Sequence, residues 1–175
     1  MSKRTLFAMA TLISSCLQSG SEPYAGWEEV VVAEGGYSLR YLAPPWERDQ
    51  TVPPPDLRLV VPFQHGTVPG LPAPPPAYEL DVTTVPSAAT EALAAAMQNT
   101  LGEGGDEIVE TVAPFSTRSG LSGHEVMSKD SSSRFHRETF VAMPSGQVLL
   151  ISVESNDDAG GRDVDDLLAS LEALP

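Results

Sequence analysis

Histidine and serine are the side chains of this sequence that suit acid–base and nucleophilic chemistry near neutral pH. The chain has 175 residues and three histidines, His65, His124 and His136. Ser122 lies two residues before His124 on a predicted strand, so the two side chains share one face. This spacing leaves open a hydrolase that uses Ser122 with His124 or His136. A nucleophile elbow needs Gly-x-Ser-x-Gly, however, and in Gly120-Leu121-Ser122-Gly123-His124 the second glycine comes one place early. We therefore expect no enzyme activity.

The acidic run over residues 154–166 is the second candidate for chemistry, because Ca²⁺ prefers carboxylate oxygens as ligands. Its weak candidate ligands are Asp157, Asp158 and Asp163. An EF-hand register that starts at Glu154 puts Ala159 where glycine is required and Asp165 where a bidentate Glu belongs. Aspartates near a helix N-terminus also interact favourably with its dipole, which explains the run without a metal. We expect no metal site and no cofactor, and a Ca²⁺-stabilised binding module stays open as an alternative.

The charge balance excludes one class of partner. The chain has 10 Lys and Arg against 24 Asp and Glu, a formal charge of −14 at pH 7. Nucleic acid is not an expected partner, because a binding face needs clustered bases to displace the counterions of phosphates. Four bases do lie close together in the sequence: Arg118, Lys129, Arg134 and Arg137. They predict either a docking face for an acidic partner or a sheet edge whose charges pair with Glu125 and Glu138 on neighbouring strands.

The sequence has a single cysteine, Cys16. It therefore forms no internal disulfide and no Cys₄ or Cys₂His₂ zinc site. Upstream of it, Lys3 and Arg4 precede an uncharged, mostly apolar run over residues 6–13, which is shorter than the about 20 residues that span a bilayer. A basic start followed by a short apolar run is typical of a signal peptide.

These parts, ending in Ser14-Ser15-Cys16, resemble the bacterial lipobox. The resemblance implies that residues 1–15 are removed as a lipoprotein signal peptide, that the Cys16 thiol is diacylated and that the new amino terminus is acylated, with fatty acids such as palmitate. Stable anchoring takes more than one acyl chain. Residues 16–26 are then the lipidated cysteine and a flexible tether. The alternatives are a frayed helix with a buried Cys16 and a simple secretory signal that is cut nearby.

The resemblance also indicates where the protein resides, namely outside the cytoplasm at a membrane of the cell envelope. Leu17 follows the cysteine in place of the Asp that commonly signals retention at the inner membrane. This implies the periplasmic side of the outer membrane if the source is Gram-negative. Loss of the leader would leave 8 bases against 24 acids, a formal −16. We therefore expect membrane contact through lipid rather than through charge.

Hydrophobic periodicity predicts one α+β domain over residues 27–175. Strands over residues 29–33 and 37–42 flank Gly35-Gly36 and form a predicted hairpin. Further strands are predicted over residues 56–62, 78–82, 107–115, 122–129, 134–143 and 147–154. Residues 44–76 contain 11 of the 16 prolines and predict a Pro-rich insertion.

Two helices complete the predicted domain. Ser87 caps the first, over residues 87–101, and its apolar stripe consists of Ala89, Leu93, Met97 and Leu101, widened by Ala92 and Ala96. Asp163 begins the second, whose stripe consists of Val164, Leu167, Leu168, Leu171 and Leu174. Residues 148–151 are apolar on both faces, so their strand is expected in the sheet interior. The expected architecture is a single, largely antiparallel sheet of about six or seven strands flanked by helices.

The order of these elements resembles the PsbP/Mog-like α/β/α sandwich, a superfamily that includes bacterial lipoproteins of the DcrB and LpqN kind. Gly36-Tyr37-Ser38-Leu39-Arg40-Tyr41, followed by Pro44-Pro45-Trp46, looks like the start of that family. The Ala-rich helix, the segment Leu121-Ser122-Gly123-His124-Glu125 and the closing hairpin and helix extend the likeness over residues 27–174. The Pro-rich insertion departs from the family. The resemblance implies a non-catalytic binding or scaffolding domain with a protein partner in the cell envelope.

Overall fold

The structure is a computed structural model that describes residues 24–62, 76–85, 89–104, 107–155 and 162–175. The strands are β1 (Trp27–Val32), β2 (Tyr37–Leu42), β3 (Glu47–Arg48), β4 (Leu57–Val61), β5 (Tyr78–Val85), β6 (Glu107–Ser116), β7 (Ser122–Asp130), β8 (Phe135–Ala142), β9 (Val148–Ser155) and β10 (Glu172–Ala173). The helices are α1 (Thr90–Gly104) and α2 (Arg162–Ala169).

The predicted hairpin near the start of the domain is confirmed. β1 and β2 pair antiparallel from Trp27 opposite Leu42 to Val32 opposite Tyr37. A 3₁₀ turn over Ala33–Gly35 joins them, and Gly36 closes the turn with φ of 70°, a conformation that glycine adopts without steric cost. Tyr37 and alternate residues after it on β2 are buried, as the period of two requires.

The described strands form two sheets, so the expectation of a single sheet is wrong. The larger sheet has seven strands in the order β3-β4-β5-β9-β8-β7-β6, and the smaller has three in the order β1-β2-β10. Every strand pair described is antiparallel, as expected. The hairpin packs face to face on the large sheet because its inner side chains, among them Val32 and Leu39, belong to the main core. Pro44 and Pro45 after β2 cannot continue a strand ladder, which separates this hairpin from β3.

Strand β9 is the centre of the large sheet, in agreement with its apolar sequence. It pairs with β5 on one side and β8 on the other. Leu149, Ile151 and Val153 face the main core, which the small sheet and α2 cover. Val148 and Leu150 face a second core cluster under α1, together with Phe140. Both faces of this strand are therefore covered where its sequence is apolar.

Helix α1 begins at Thr90, so the predicted stripe residue Ala89 lies before the helix and is exposed. The stripe also differs at other alanines. Leu93, Met97 and Leu101 pack on the second core as predicted. Ala94 is the fully buried alanine of the helix, whereas Ala92 and Ala96 are exposed. A run of alanines does not fix which of them faces the core, because their side chains are all equally small. The predicted cap Ser87 lies outside the described residues.

Helix α2 is shorter than predicted and ends at Ala169 rather than continuing to Leu174. The hydroxyl of Ser170 explains the end, because it accepts a hydrogen bond from the backbone N–H of Arg40 at 2.8 Å and lies 2.6 Å from the carbonyl oxygen of Leu167. Leu171 is still buried, and the chain then pairs with β2 as β10. Asp163 falls in the first turn of α2, one residue inside its start.

Candidate functional site

A small cavity opens at one end of the large sheet, next to the start of α2. Its volume is about 100 Å³. The residues that line it are Pro45, Trp46, Val61, Tyr78, Asp163 and Val164. Five of these six side chains are apolar or aromatic, and Asp163 brings the one carboxylate. An apolar cavity with one convergent polar group is a candidate binding site.

Three separate parts of the chain build the walls of the cavity at Trp46. Trp46 follows the two prolines after β2, and its backbone N–H donates to the carbonyl oxygen of Leu42 at 3.2 Å. Val61 ends β4 directly opposite Tyr78, which begins β5. The rings of Trp46 and Tyr78 have centroids 6.0 Å apart and planes inclined at 56°. Trp46 is 3% exposed and Val164 is 2% exposed, so these two walls are fixed by the core.

Asp163 stands at the rim of the cavity at Trp46, and its residue is exposed. A carboxylate beside aromatic faces favours a cation with an apolar stem, because aromatic rings attract cations electrostatically. The same arrangement offers no nucleophile, no imidazole and no second carboxylate. The cavity therefore has the lining of a binding site for a cationic group.

A second candidate lies on the large sheet face that carries α1. Glu79, Glu154 and His136 sit side by side on β5, β9 and β8, and Asp81, Ser152 and Glu138 form the adjacent row. Helix α1 packs on β6, β7 and β8. We call these two rows, with Arg58 and Arg134, the polar face.

Most acids of the polar face form ion pairs with its two arginines, Arg58 and Arg134. Arg58 Nε lies 2.7 Å from Asp81 Oδ1 and 3.3 Å from Glu79 Oε1. Arg134 Nη2 lies 3.3 Å from Glu154 Oε2. Partial burial raises the pKa of Glu79, an effect that Arg58 opposes and that Asp81 and Glu154 reinforce. This surface is a network of half-buried ion pairs rather than a preformed ligand site.

The four clustered bases of the sequence are also paired or stacked, and one of the two predicted cross-strand acids, Glu125, takes part. The other, Glu138, accepts a hydrogen bond from Ser152. Arg137 is 6% exposed and bonds to Glu125, with Nη2 2.7 Å from Oε2. Arg118 Nη2 lies 2.6 Å from Asp166 Oδ1, and Arg134 pairs with Glu154 as above. Lys129 lies over the Phe135 ring, with Nζ 4.6 Å from its centroid. These bases do not form a free docking face for an acidic partner.

The residues named for a hydrolase are not brought together. Ser122 is exposed at the start of β7. His124 Nδ1 is engaged 3.0 Å from Thr90 Oγ1 of α1. On β8, Phe140 is opposite His124 while His136 is opposite Ser128, four residues further along. At about 3.3 Å per residue, this separates the two histidines by roughly 13 Å along the sheet. The third histidine, His65, lies outside the described residues.

The candidate metal ligands do not form a cluster among the described residues. Asp157 and Asp158 lie outside the described residues, and Asp163 is at the cavity at Trp46. Within the described ranges, no three His, Cys, Asp or Glu side chains come together in a way that could hold a metal ion.

Cys16 also lies outside the described residues, and Tyr24 is the first residue described. The Tyr24 ring packs edge-on against Trp27 with centroids 5.3 Å apart, and the Arg118 guanidinium lies 4.8 Å from its centroid. The Tyr24 hydroxyl donates to the backbone oxygen of Asp166 at 3.4 Å. The chain is thus held on the domain from Tyr24 onward. No helix within the described part of the chain is long and apolar enough to cross a membrane.

The roles of Trp46 and Tyr78 were not predicted from the sequence. In the sequence, Trp46 belongs to the segment that resembles the start of the PsbP-like family, and Tyr78 begins a predicted strand. One signal was available: a tryptophan directly after two prolines cannot sit within a paired strand and must be placed by a turn.

Comparison with known proteins gives no family. No protein-family model matches the chain, and neither does any curated protein. A crystal structure of a protein from Bacteroides thetaiotaomicron VPI-5482, at 1.50 Å resolution, aligns with a TM-score of 0.44 and 10% sequence identity. The alignment covers 86% of this chain and 49% of that one, so this chain spans about half the length of its neighbour.

Proposed function

We propose that the chain is a lipid-anchored extracytoplasmic lipoprotein whose α+β domain binds a partner in the cell envelope without catalysing a reaction. The observation that carries the proposal is the leader, in which Lys3-Arg4, the apolar run over residues 6–13 and Ser14-Ser15-Cys16 follow one another in the order of a lipoprotein signal. The PsbP-like α/β/α sandwich is the fold family that we propose for the domain.

The geometry near Tyr24 supports an anchor at Cys16. Seven residues, 17–23, separate Cys16 from Tyr24. Eight residue steps of at most 3.3–3.6 Å span no more than about 28 Å. Because Tyr24 is packed on Trp27 and Arg118, an anchored domain would stay within that distance of the lipid surface. The tether is long enough to clear the headgroups and short enough to keep the domain beside the membrane.

The chemistry of the described residues supports binding rather than catalysis. The cavity at Trp46 is apolar with one carboxylate. Several charged residues elsewhere form ion pairs with each other, such as Arg58 with Asp81 and Arg137 with Glu125.

Fractionation of cells tests the proposal. We expect the wild-type chain in the membrane fraction, retained through high-salt washing and released by detergent, because acyl chains hold it there rather than charge. The variant Cys16→Ser should appear in the soluble fraction. A matched control combines Cys16→Ser with Ser19→Cys, which keeps one thiol but places it three residues after the lipobox position. A wild-type chain that washes off with salt, or a control that stays on the membrane, would contradict the anchor.

A further inference from the structure

We infer that the cavity at Trp46 binds the side chain of a lysine supplied by a protein partner. This inference deepens the proposed binding function and rests on it for the kind of partner. The site is defined by Trp46, Tyr78 and Asp163, which come from three distant parts of the sequence.

The size of the cavity at Trp46 limits what it accepts. Its volume is about 100 Å³. Cavities that hold small-molecule ligands measure about 300–1,000 Å³. The cavity therefore fits the end of one side chain rather than a whole metabolite.

The lining selects the class of side chain. The walls formed by Val61, Val164 and Pro45 suit a methylene stem, and the rings of Trp46 and Tyr78 add a preference for a positive charge near their faces. Lysine combines an apolar four-carbon stem with a terminal ammonium. Buried walls also mean that the cavity is already formed before the ligand arrives, since Trp46 and Val164 belong to the main core.

Asp163 is the carboxylate of α2 that remains available for the ammonium group. Asp165 Oδ1 is bound by Arg137 Nη1 at 2.5 Å, and Asp166 Oδ1 is bound by Arg118 Nη2 at 2.6 Å. Asp163 makes no ion pair with any side chain that the structure describes, and it lies at the cavity rim. Two of the three aspartates in the first two turns of α2 therefore form ion pairs within the domain. The third, Asp163, is exposed to solvent beside the cavity.

The surrounding charge favours a cation over an anion. The N-terminus of a helix carries an effective charge of about +0.5, which by itself attracts anions. Asp163 carries a full negative charge at the cavity rim and outweighs it. The formal charge of −14 on the whole chain further repels acidic partners and speeds the approach of basic ones.

The test uses the full-length chain, purified in detergent and labelled with ¹⁵N on its two tryptophans. The probe is n-butylammonium chloride, which is the lysine side chain without its backbone, and 1-butanol and NaCl are the uncharged and salt controls. The variant Trp27→Phe identifies the indole signal of Trp46. We expect that signal to shift saturably with n-butylammonium, to respond more weakly to 1-butanol because the apolar walls still accept the butyl chain, and to stay in place with NaCl.

Two variants test whether the cavity at Trp46 prefers a positively charged ligand. Asp163→Asn should weaken the binding of n-butylammonium by about two- to fivefold, the range expected for one exposed ion pair. Glu91→Gln removes the same charge from an exposed position on α1 and should leave the binding unchanged. An unchanged Trp27 signal in Asp163→Asn shows that the variant is folded.

Three results would overturn the inference: a Trp46 signal that n-butylammonium does not move, an equal response to 1-butanol, or the same effect from Asp163→Asn and Glu91→Gln. Lipidation does not enter this measurement, so a chain with the variant Cys16→Ser should give the same response. Failure of the lysine site is thereby separated from failure of the lipid anchor.

Discussion

Arg137 and Glu125 form an ion pair inside the domain, with Arg137 Nε and Nη2 donating to Glu125 Oε2 at 3.0 and 2.7 Å. Their side chains are 8% and 12% exposed. Arg137 also reaches Asp165 of α2, so this pair joins the sheet to the helix that forms one wall of the cavity at Trp46.

Breaking this pair from one side should destabilise the domain strongly. Glu125→Leu leaves the Arg137 charge buried with one carboxylate fewer, which costs about 3–5 kcal/mol of unfolding free energy. The double variant Glu125→Leu with Arg137→Met should recover most of that loss, because no buried charge is then left alone. Urea unfolding measures both.

The half-exposed pair of Arg134 and Glu154 is the matched control for this prediction. Arg134→Ala should cost less than about 1 kcal/mol. If Glu125→Leu costs no more than Arg134→Ala, the pair of Arg137 and Glu125 does not hold the sheet and α2 together in the way proposed.

Gly123 is required by backbone contact rather than by catalysis, although it stands between Ser122 and His124. A Cβ at this position would lie 1.8 Å from the carbonyl oxygen of Phe140 on the neighbouring strand β8. We expect Gly123→Ala to cost about 3 kcal/mol or more of unfolding free energy, because two backbones must separate.

Gly120→Ala provides the comparison for Gly123. Gly120 has φ of 89° with open space around it, so its substitution adds only backbone strain of about 1–2 kcal/mol. Thermal unfolding of the two variants should rank Gly123→Ala clearly below Gly120→Ala, and equal melting temperatures would show that the close approach to Phe140 is relieved without cost.

Glu79 should make the domain less stable as the pH rises. Burial, reinforced by Asp81 and Glu154, raises its pKa above the ordinary value of 4.5. The folded state then binds the proton more tightly than the unfolded state, so this contribution to stability is full below pH 4.5 and is lost as the pH rises through the folded pKa.

The variant Glu79→Gln removes that titration. Its stability relative to wild type should increase between pH 4 and pH 7, as read from urea midpoints at several pH values (about one unit apart). A difference that does not change with pH would contradict the assigned environment of Glu79.

Most helices and strands could be predicted from local sequence patterns, because they form for reasons that lie within their own residues. The β1–β2 hairpin follows from its two glycines and alternating side chains, and β9 lies in the sheet interior because residues 148–151 are apolar on both faces. The second sheet was missed because Pro44 and Pro45 separate the β1–β2 hairpin from β3, and the hairpin packs on the large sheet through the main core instead of joining its edge. Its third strand, β10, follows the contact of Ser170 with Arg40. That contact joins residues distant in sequence, and no periodicity reports it.

The cavity at Trp46 could not be predicted for a similar reason. Trp46, Tyr78 and Asp163 each have a sufficient local explanation, as a turn residue, a strand start and a first-turn helix acid. They meet because β4 ends and β5 begins beside the start of α2, which is a property of the whole fold. The pairing of Arg137 with Glu125, by contrast, follows from neighbouring strands and was foreseen.

Lipidation of Cys16 is the central claim, and metabolic labelling with an alkyne analogue of palmitate tests it most directly. We predict that the wild-type chain takes up the label and that Cys16→Ser takes up none, because the thiol and the new amino group at residue 16 are the proposed attachment points. A wild-type chain without label, or a Cys16→Ser variant that is labelled like the wild type, would contradict the account.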